Sequence, residues 1–283
     1  MGSSKVTNIE RVIEFIEDHL NGKLDLDMVA EGVHYSKYYL HRMFTDLLGM
    51  TLHEYAGRRQ MTEAAKLLIF SKKSIMEIAL ICGYESRQAF TEAFKGMYKT
   101  TPAKYRKQGD FYPLQLRFVL HQNDLEKKYS RNDIRLAEMK DVSSWMELVR
   151  LVVDGYPCLD EVQYEETLKE CIDRNHGLIL KDEETAIGVM IFSDTGNIEF
   201  MGVHPQYRNR GLHKLFLEKL IQDFLPDQEI SITTYREHDK ADTGYRKELK
   251  QLGFAEKELL TEFGYPTSVL YFFRNNNSGG IYE

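Results

Sequence analysis

The sequence predicts a protein of two domain classes, an all-α domain built from two helix-turn-helix units followed by an α/β domain with a mixed sheet. Three observations carry this prediction. The 283 residues exceed the usual single-domain length of about 100–150. The apolar pattern changes from helical steps to strands alternating with helices near residue 134. The charge divides along the same line: residues 1–108 hold 16 Lys and Arg against 13 Asp and Glu, and residues 109–283 hold 21 against 31. Affinity for nucleic acid rests on Lys and Arg neutralising phosphates, so the net charge of -7 hides one half fit to meet a polyanion and one that is not.

A hydrophobic fraction of 42% and a charged fraction of 29% are ordinary globular values and exclude a disordered or fibrous chain. Cys82, Cys158 and Cys171 are widely spaced and form no C-x-x-C pair, which argues against a disulfide framework or a zinc site and for a reducing compartment. The start lacks a basic segment followed by an apolar core, and no run of about 18 apolar residues occurs, so a cytoplasmic protein without membrane contact is expected. His176, His204 and His238 are too scattered for a metal site.

Ile9, Val12, Ile13, Ile16 and Leu20 recur at helical spacing behind a candidate N-cap at Asn8. After Asn21-Gly22 comes LDLDMVAEGV, and then Ser36 caps KYYLHRMFTDLL, which ends at Gly49, a residue suited to a left-handed C-cap. A longer helix follows from about Thr51 to Phe70. The arrangement then recurs: Ser74 caps IMEIALIC, Gly83 turns the chain, and Glu85 or Ser86 opens RQAFTEAFKGMY, about 50 residues after its counterpart. Thr101-Pro102 opens a last short helix, AKYRK.

A helix that reads a major groove needs polar residues near its N-terminus, opposite the apolar face that holds it to the domain. The sequence supplies this twice. Leu40, Met43, Phe44 and Leu47 form one apolar face and leave Lys37, Tyr38, His41 and Arg42 outward. Ala89, Phe90, Ala93 and Phe94 form the other and leave Arg87, Gln88, Thr91 and Glu92 outward. Arg42 and Arg87 suit guanine, Gln88 suits adenine, and Tyr38 suits a thymine methyl. Glu92 is the acidic exception, able to accept from cytosine. Arg58, Arg59, Lys95, Lys99, Lys104 and Arg106 are candidate phosphate contacts.

Together these segments, roughly residues 8–107, resemble the DNA-binding region of the AraC family of bacterial transcription regulators; SIMEIALICGYESRQAFTEAFKGMYKTTPAKYRK resembles its C-terminal signature. The resemblance implies two units joined by a rigid helix, each placing its second helix in the major groove of an operator, with Lys37, Tyr38, His41, Arg42, Arg87, Gln88, Thr91 and Lys95 as DNA-binding candidates. One chain then suffices to bind double-stranded DNA; monomer and homodimer both remain open.

Residues 109–132 read as a linker, with Pro113 and the polar run HQNDLEKKYSRND. From Ile134 the order is strand IRLAEM, helices DVSSWMELVRLVV and YEETLKECIDRN, strands GLILKD, AIGVMIFSD and NIEFMGVHP, helix GLHKLFLEKLIQDF, strand EISITTY, helix GYRKELKQL and two final strands. Residues 275–283 read as a loose tail. Within IEFMGVHPQYRNRGLHKLFLEKLIQDF, a strand runs through a turn with Arg208, Arg210 and Gly211 into a helix, whose free N–H groups and dipole suit a pyrophosphate.

That segment resembles motif A of the GNAT superfamily of N-acetyltransferases, and the element order over 133–274 is similar throughout. The resemblance implies a GNAT-like fold and binding of acetyl-CoA: pyrophosphate at Arg208, Asn209, Arg210, Gly211, Leu212 and His213, pantetheine along Met201, Gly202 and Val203. Two positions depart from the family pattern. His213 stands where Gly or Ala is usual, either crowding the pyrophosphate or, when protonated, assisting it. Leu249 stands where a Tyr often protonates the departing thiolate, leaving Tyr245, one turn earlier, as the substitute. Glu199 is the candidate base for an incoming small amine. Three functions follow from these residues: a regulator that senses acetyl-CoA or acetylates a small amine, an enzyme that controls its own expression, and a regulator whose second domain is a silent effector or dimerisation module.

Overall fold

The structure is a computed structural model and describes residues 2–121, 127–152, 159–262 and 265–272. Cys158 and the predicted tail at 275–283 lie outside the described residues. Seven helices come first: α1 (Gly2–Asp18), α2 (Leu26–Gly32), α3 (Lys37–Leu48), α4 (Leu52–Phe70), α5 (Ile75–Ile81), α6 (Arg87–Tyr98) and α7 (Pro102–Gln108). Helix α1 begins earlier than its expected cap, and Asn8 lies inside it, because Val6 extends the buried face one turn back.

The other caps follow the sequence. Ser36 Oγ accepts from Tyr39 N at 3.3 Å and Ser86 Oγ from Ala89 N at 3.1 Å. Thr51 with Glu54 and Ser74 with Glu77 close reciprocal capping boxes. Gly49 ends α3 in the left-handed region at φ 68°, and Lys99 takes the same conformation at the end of α6. Each half of the repeat has its own core, one around Ile13, Leu40, Phe44 and Tyr55, the other around Ile78, Phe90, Phe94 and Tyr105. Helix α4 contributes to both.

Two arginines of α4 correct the phosphate expectation: Arg58 is 3% exposed and Arg59 is 7% exposed. Arg59 donates Nε and Nη2 to the two oxygens of Glu17 on α1, at 2.8 and 2.7 Å, and Nη1 to Gln115 O. Tyr55 Oη also donates to Glu17, and burial beside that carboxylate pushes its pKa upward. The connection after α7 is therefore held rather than free where it is described. Leu114 packs into the second helical core, and Phe118 and Leu120 pack into the first.

The second domain contains β1 (Arg135–Leu136), α8 (Val142–Leu151), α9 (Glu161–Asp173), β2 (Gly177–Asp182), β3 (Thr185–Phe192), β4 (Asn197–Val203), α10 (Leu212–Lys219), β5 (Ile230–Tyr235), α11 (Tyr245–Gln251), β6 (Phe254–Glu262) and β7 (Tyr265–Phe272). These strands form one mixed sheet in the order β1-β2-β3-β4-β5-β7-β6, with β4 and β5 parallel and the rest antiparallel. Helices cover both faces. Trp145 and Leu168 pack on one, and Phe216 and Leu249 on the other. Among the described residues no helix is long and apolar enough to cross a membrane.

The domains meet over buried polar groups. Gln206, 2% exposed, accepts from His121 N at 2.8 Å and donates to His121 O at 2.7 Å. Arg58 Nη1 donates to Ala241 O at 3.0 Å, while Nη2 donates to Leu114 O at 3.1 Å. His204, 1% exposed, lies beside His121 and Arg208; burial and these neighbours lower its pKa from 6.5 to about 3.

Two outcomes are expected. Arg59→Leu strands the buried Glu17 carboxylate and lowers unfolding free energy by about 3–5 kcal/mol; an unchanged urea midpoint would refute it. Because the folded pKa of His204 lies below its ordinary value, the neutral ring adds stability above about pH 6.5 that is lost as pH falls toward 3. His204→Gln should flatten the stability profile across that window, by a slope of about 1.4 kcal/mol per pH unit, measured by denaturant titrations at several pH values.

Candidate functional site

The N-terminal turns of α3 and α6 expose polar groups opposite faces packed into the helical cores. On α3 the buried Leu40, Met43, Phe44 and Leu48 leave Lys37, Tyr38, His41 and Arg42 exposed. Tyr38 is 77% exposed, Lys37 pairs with Asp27, and Arg42 Nε lies 3.7 Å from Asp46 Oδ2. On α6 the buried face is Phe90, Phe94 and Tyr98, and Arg87, Gln88, Glu92 and Lys95 are exposed.

Ala89 is exposed rather than inward, and Thr91 is half-buried, its hydroxyl donating to Arg87 O at 2.7 Å. Gln88 Nε2 donates to Glu92 Oε1 at 3.2 Å, so the acidic exception is tied to its neighbour. Of the phosphate candidates, Lys95 and Lys104 are exposed. Arg106 donates to Leu68 O and Lys73 O, and Lys99 donates to Asp239 of the second domain. Basic residues that hold a fold and those that face solvent look alike in a sequence; burial separates them.

A cleft of about 560 Å3 opens in the second domain. Its origin is the parallel pair β4 and β5, whose ladder runs only from Asn197–Ser231 to Ile198–Ile232. Beyond that point the strands splay, and Glu199, Met201, Gly202 and Val203 line one wall while Ile232 and Thr233 line the other. A gap of this kind leaves one edge of β4 unladdered toward the cleft, which suits an extended polar ligand. Glu199 occupies a bulge: Ile191 pairs with Phe200 and Phe192 with Ile198, so Glu199 has no opposite residue. Glu199 is exposed and lines the cleft, and its charge also acts on Cys171 of α9. Gly202 is required by space, since a Cβ there would lie 2.9 Å from Val152 Cγ2.

At one end of the cleft the 3-10 turn Pro205–Arg210 leads into Gly211, which opens α10 at φ 69° with nothing within 4 Å of an added Cβ. The first-turn N–H groups of α10 have no intrahelical acceptor. Arg208, Asn209, Gly211 and His213 line the cleft. Arg210 instead stacks on Tyr207 at 4.7 Å, and Leu212 is 1% exposed in the sheet core, which limits it to its backbone N–H. His213 is also turned inward. It is 5% exposed, with Nδ1 2.5 Å from Glu248 Oε1, so its ring is occupied by a carboxylate rather than presented to an anion.

Tyr245 lies at the start of α11, its ring 5.5 Å from that of His213. Its Oη is buried without a hydrogen-bond partner, and burial next to Glu248 raises its pKa. Leu249 is fully buried in the sheet core and does not line the cleft.

The helical domain completes the wall with Thr45, Gly49, Met50, Thr51 and Glu54, which sequence reasoning missed, as it missed Lys247 and Glu248 of α11. Asn209 Nδ2 donates to Thr45 O at 3.1 Å and to Asp46 O at 2.9 Å. Arg208 lies against Gly49 and 6.0 Å over the ring of Phe118. No local signal announces contacts between positions about 160 residues apart.

Comparison with known proteins matches both halves. The helix-turn-helix domain family model covers residues 29–108, and the acetyltransferase (GNAT) family model covers residues 145–254. The probable transcription factor PqrA of Proteus vulgaris is 40% identical over 103 residues, 36% of this chain and 84% of that protein. The regulatory protein SoxS of Salmonella typhimurium is 39% identical over 98 residues, 35% of this chain and 92% of that protein. Among solved structures, a GNAT-family acetyltransferase from Bacillus cereus covers 50% of this chain and 97% of its own at 19% identity and a TM-score of 0.40. The chain belongs to the AraC-type helix-turn-helix regulators and carries a fused GNAT-family domain.

Proposed function

We propose that this cytoplasmic regulator binds an operator through α3 and α6 and binds acetyl-CoA in the cleft of its GNAT domain, where it transfers the acetyl group to a small amine. The observation that carries the ligand reading is the splay of β4 from β5 ending at a glycine-opened helix, with the unpartnered Tyr245 Oη buried beside it. The residues present fit that ligand. Gly211 leaves room for close approach to the α10 N-terminus, and Arg208 and Lys247 supply positive charge along the cleft.

Acetyl-CoA supplies an activated acetyl thioester. The strand at Met201, Gly202 and Val203 pairs with its pantetheine, and a backbone N–H on the edge of β4 away from β3 polarises the thioester carbonyl. The carboxylate of Glu199, the bulge residue of the cleft wall, accepts the proton of the attacking amine through water. Tyr245, kept protonated by burial, donates its proton to the departing sulfur. No side chain forms a covalent bond to the acetyl group in this scheme. The pair of buried His213 and half-buried Glu248 holds α10 and α11 together beside the Tyr245 ring.

On the DNA side, Lys37, Tyr38, His41, Arg42, Arg87, Gln88, Thr91 and Lys95 face or border the duplex, and one chain presents both helices to successive major-groove turns. Arg42→Ala and Arg87→Ala are each expected to reduce discrimination at one base pair by about 1–3 kcal/mol, read from competition binding with single-base operator variants. Equal loss on every sequence would make them phosphate contacts instead. Gly211→Phe is expected to abolish acetyl-CoA binding in titration calorimetry while circular dichroism stays native, and unchanged affinity would overturn the cleft reading. With acetyl-CoA and a panel of small amines, Tyr245→Phe should lower thiol release more than it lowers acetyl-CoA affinity; absence of wild-type thiol release with every amine would reduce the cleft to a sensor.

A further inference from the structure

Both DNA-reading helices end on the loops that form the ligand cleft. At the end of α3, the carbonyls of Thr45 and Asp46 accept from Asn209, and Gly49 lies against Arg208, both in the turn that opens α10. At the end of α6, Lys99 is in the left-handed conformation, its ammonium pairs with Asp239, and Gly96 lies against Lys240. Asp239 and Lys240 precede Thr243 and Gly244, which line the same cleft. Between them, Arg58 of the connecting helix α4 donates to Ala241 O.

The contact at α3 has a direction. The last carbonyls of a helix are its negative end, and here those of Thr45 and Asp46 take up the Asn209 amide of the turn that would otherwise face an anion. Glu54 adds a carboxylate to the same wall. The end of α3 thus occupies the turn as an anion would, and a bound diphosphate has to compete with it for Asn209.

Resting on the reading of the cleft as an acetyl-CoA site, we propose that acetyl-CoA and the docked end of α3 compete for the 208–211 turn, so that acetyl-CoA releases α3 from its fixed placement relative to α6 and weakens DNA binding. Two helices that must enter successive major grooves together need a fixed separation. The second domain supplies part of that restraint by holding both C-terminal ends. By linkage the effect is mutual, and DNA weakens acetyl-CoA binding by the same factor.

A covalent lock tests this route. A Cβ at Gly96 would lie 3.7 Å from Lys240 Cβ, within the range of about 3.5–4.5 Å that a disulfide spans. Gly96→Cys with Lys240→Cys removes the clashing lysine chain and places one cysteine on each side of the boundary. Wild-type and double variant, oxidised and reduced, are titrated by fluorescence anisotropy onto a duplex that the unliganded protein selects from a randomised pool, with and without acetyl-CoA. Calorimetry measures acetyl-CoA binding separately.

The expected result is DNA affinity about tenfold weaker with acetyl-CoA in the wild-type and reduced proteins, and a smaller change in the oxidised one. Asp239→Asn, which keeps an acceptor for Ala241 N but removes the charge facing Lys99, is expected to weaken DNA binding without acetyl-CoA. It supplies a second measurement if the disulfide does not close. Absence of acetyl-CoA binding overturns the cleft reading, and the present proposal with it. Binding that leaves wild-type DNA affinity unchanged or stronger overturns the competition alone. Equal weakening in the oxidised and reduced variants, or unchanged DNA affinity in Asp239→Asn, overturns the loop contacts as its route.

Discussion

Two adjacent buried guanidinium groups organise the molecule. Arg58 and Arg59 project from the middle of α4, about 100° apart around the helix axis. Arg59 ties α1 and the chain after α7 to α4, while Arg58 ties that same chain to a carbonyl of the second domain. A guanidinium suits this position because its fixed fork of donors meets several acceptors at once. Lysine, whose three donors share one nitrogen, could not span the separated acceptors. The cost of burying these charges is offset by Glu17 for Arg59 and by main-chain carbonyls for Arg58. Without them α4 would still join the two helical units, but the placement of the second domain would rest on fewer buried polar contacts.

Much of this architecture was legible in the sequence. Serine and threonine caps 50 residues apart mark both helix-turn-helix units, and strand runs between amphipathic helices mark the mixed sheet. Where the reading failed, the cause is tertiary. Arg58 and Arg59 read as surface charge because a sequence shows residue type and not burial. Leu249 and Leu212 fall on the core face of their helices, and only the packed sheet shows that neither side chain reaches the cleft. The contribution of Thr45, Gly49 and Glu54 to the cleft wall was invisible, since no periodicity within α3 or α4 encodes a neighbour in another domain.

The division of charge also acquires a spatial meaning. Acidic residues of the second domain do more than repel DNA. Asp239 neutralises Lys99 and fixes the end of α6, which spends one basic group of the helical domain on the boundary rather than on phosphate. Arg58 and Arg59 are spent in the same way. The basic excess of the first 108 residues therefore overstates what is available to a polyanion, and exposed residues near the N-terminal turns of α3 and α6 carry more of that task than the count suggests.

The bulge at Glu199 reverses the phase of β4. Ile198 points to the face covered by α10, and so do Met201 and Val203, whereas Phe200 points to the face covered by α8. Strict alternation would put Ile198 and Met201 on opposite sides. The cleft wall thus depends on the number of residues in the strand as well as on their identity: point replacements can vary its lining, but loss of one residue near position 199 would turn the remaining wall inside out. Change along this strand is confined to substitution.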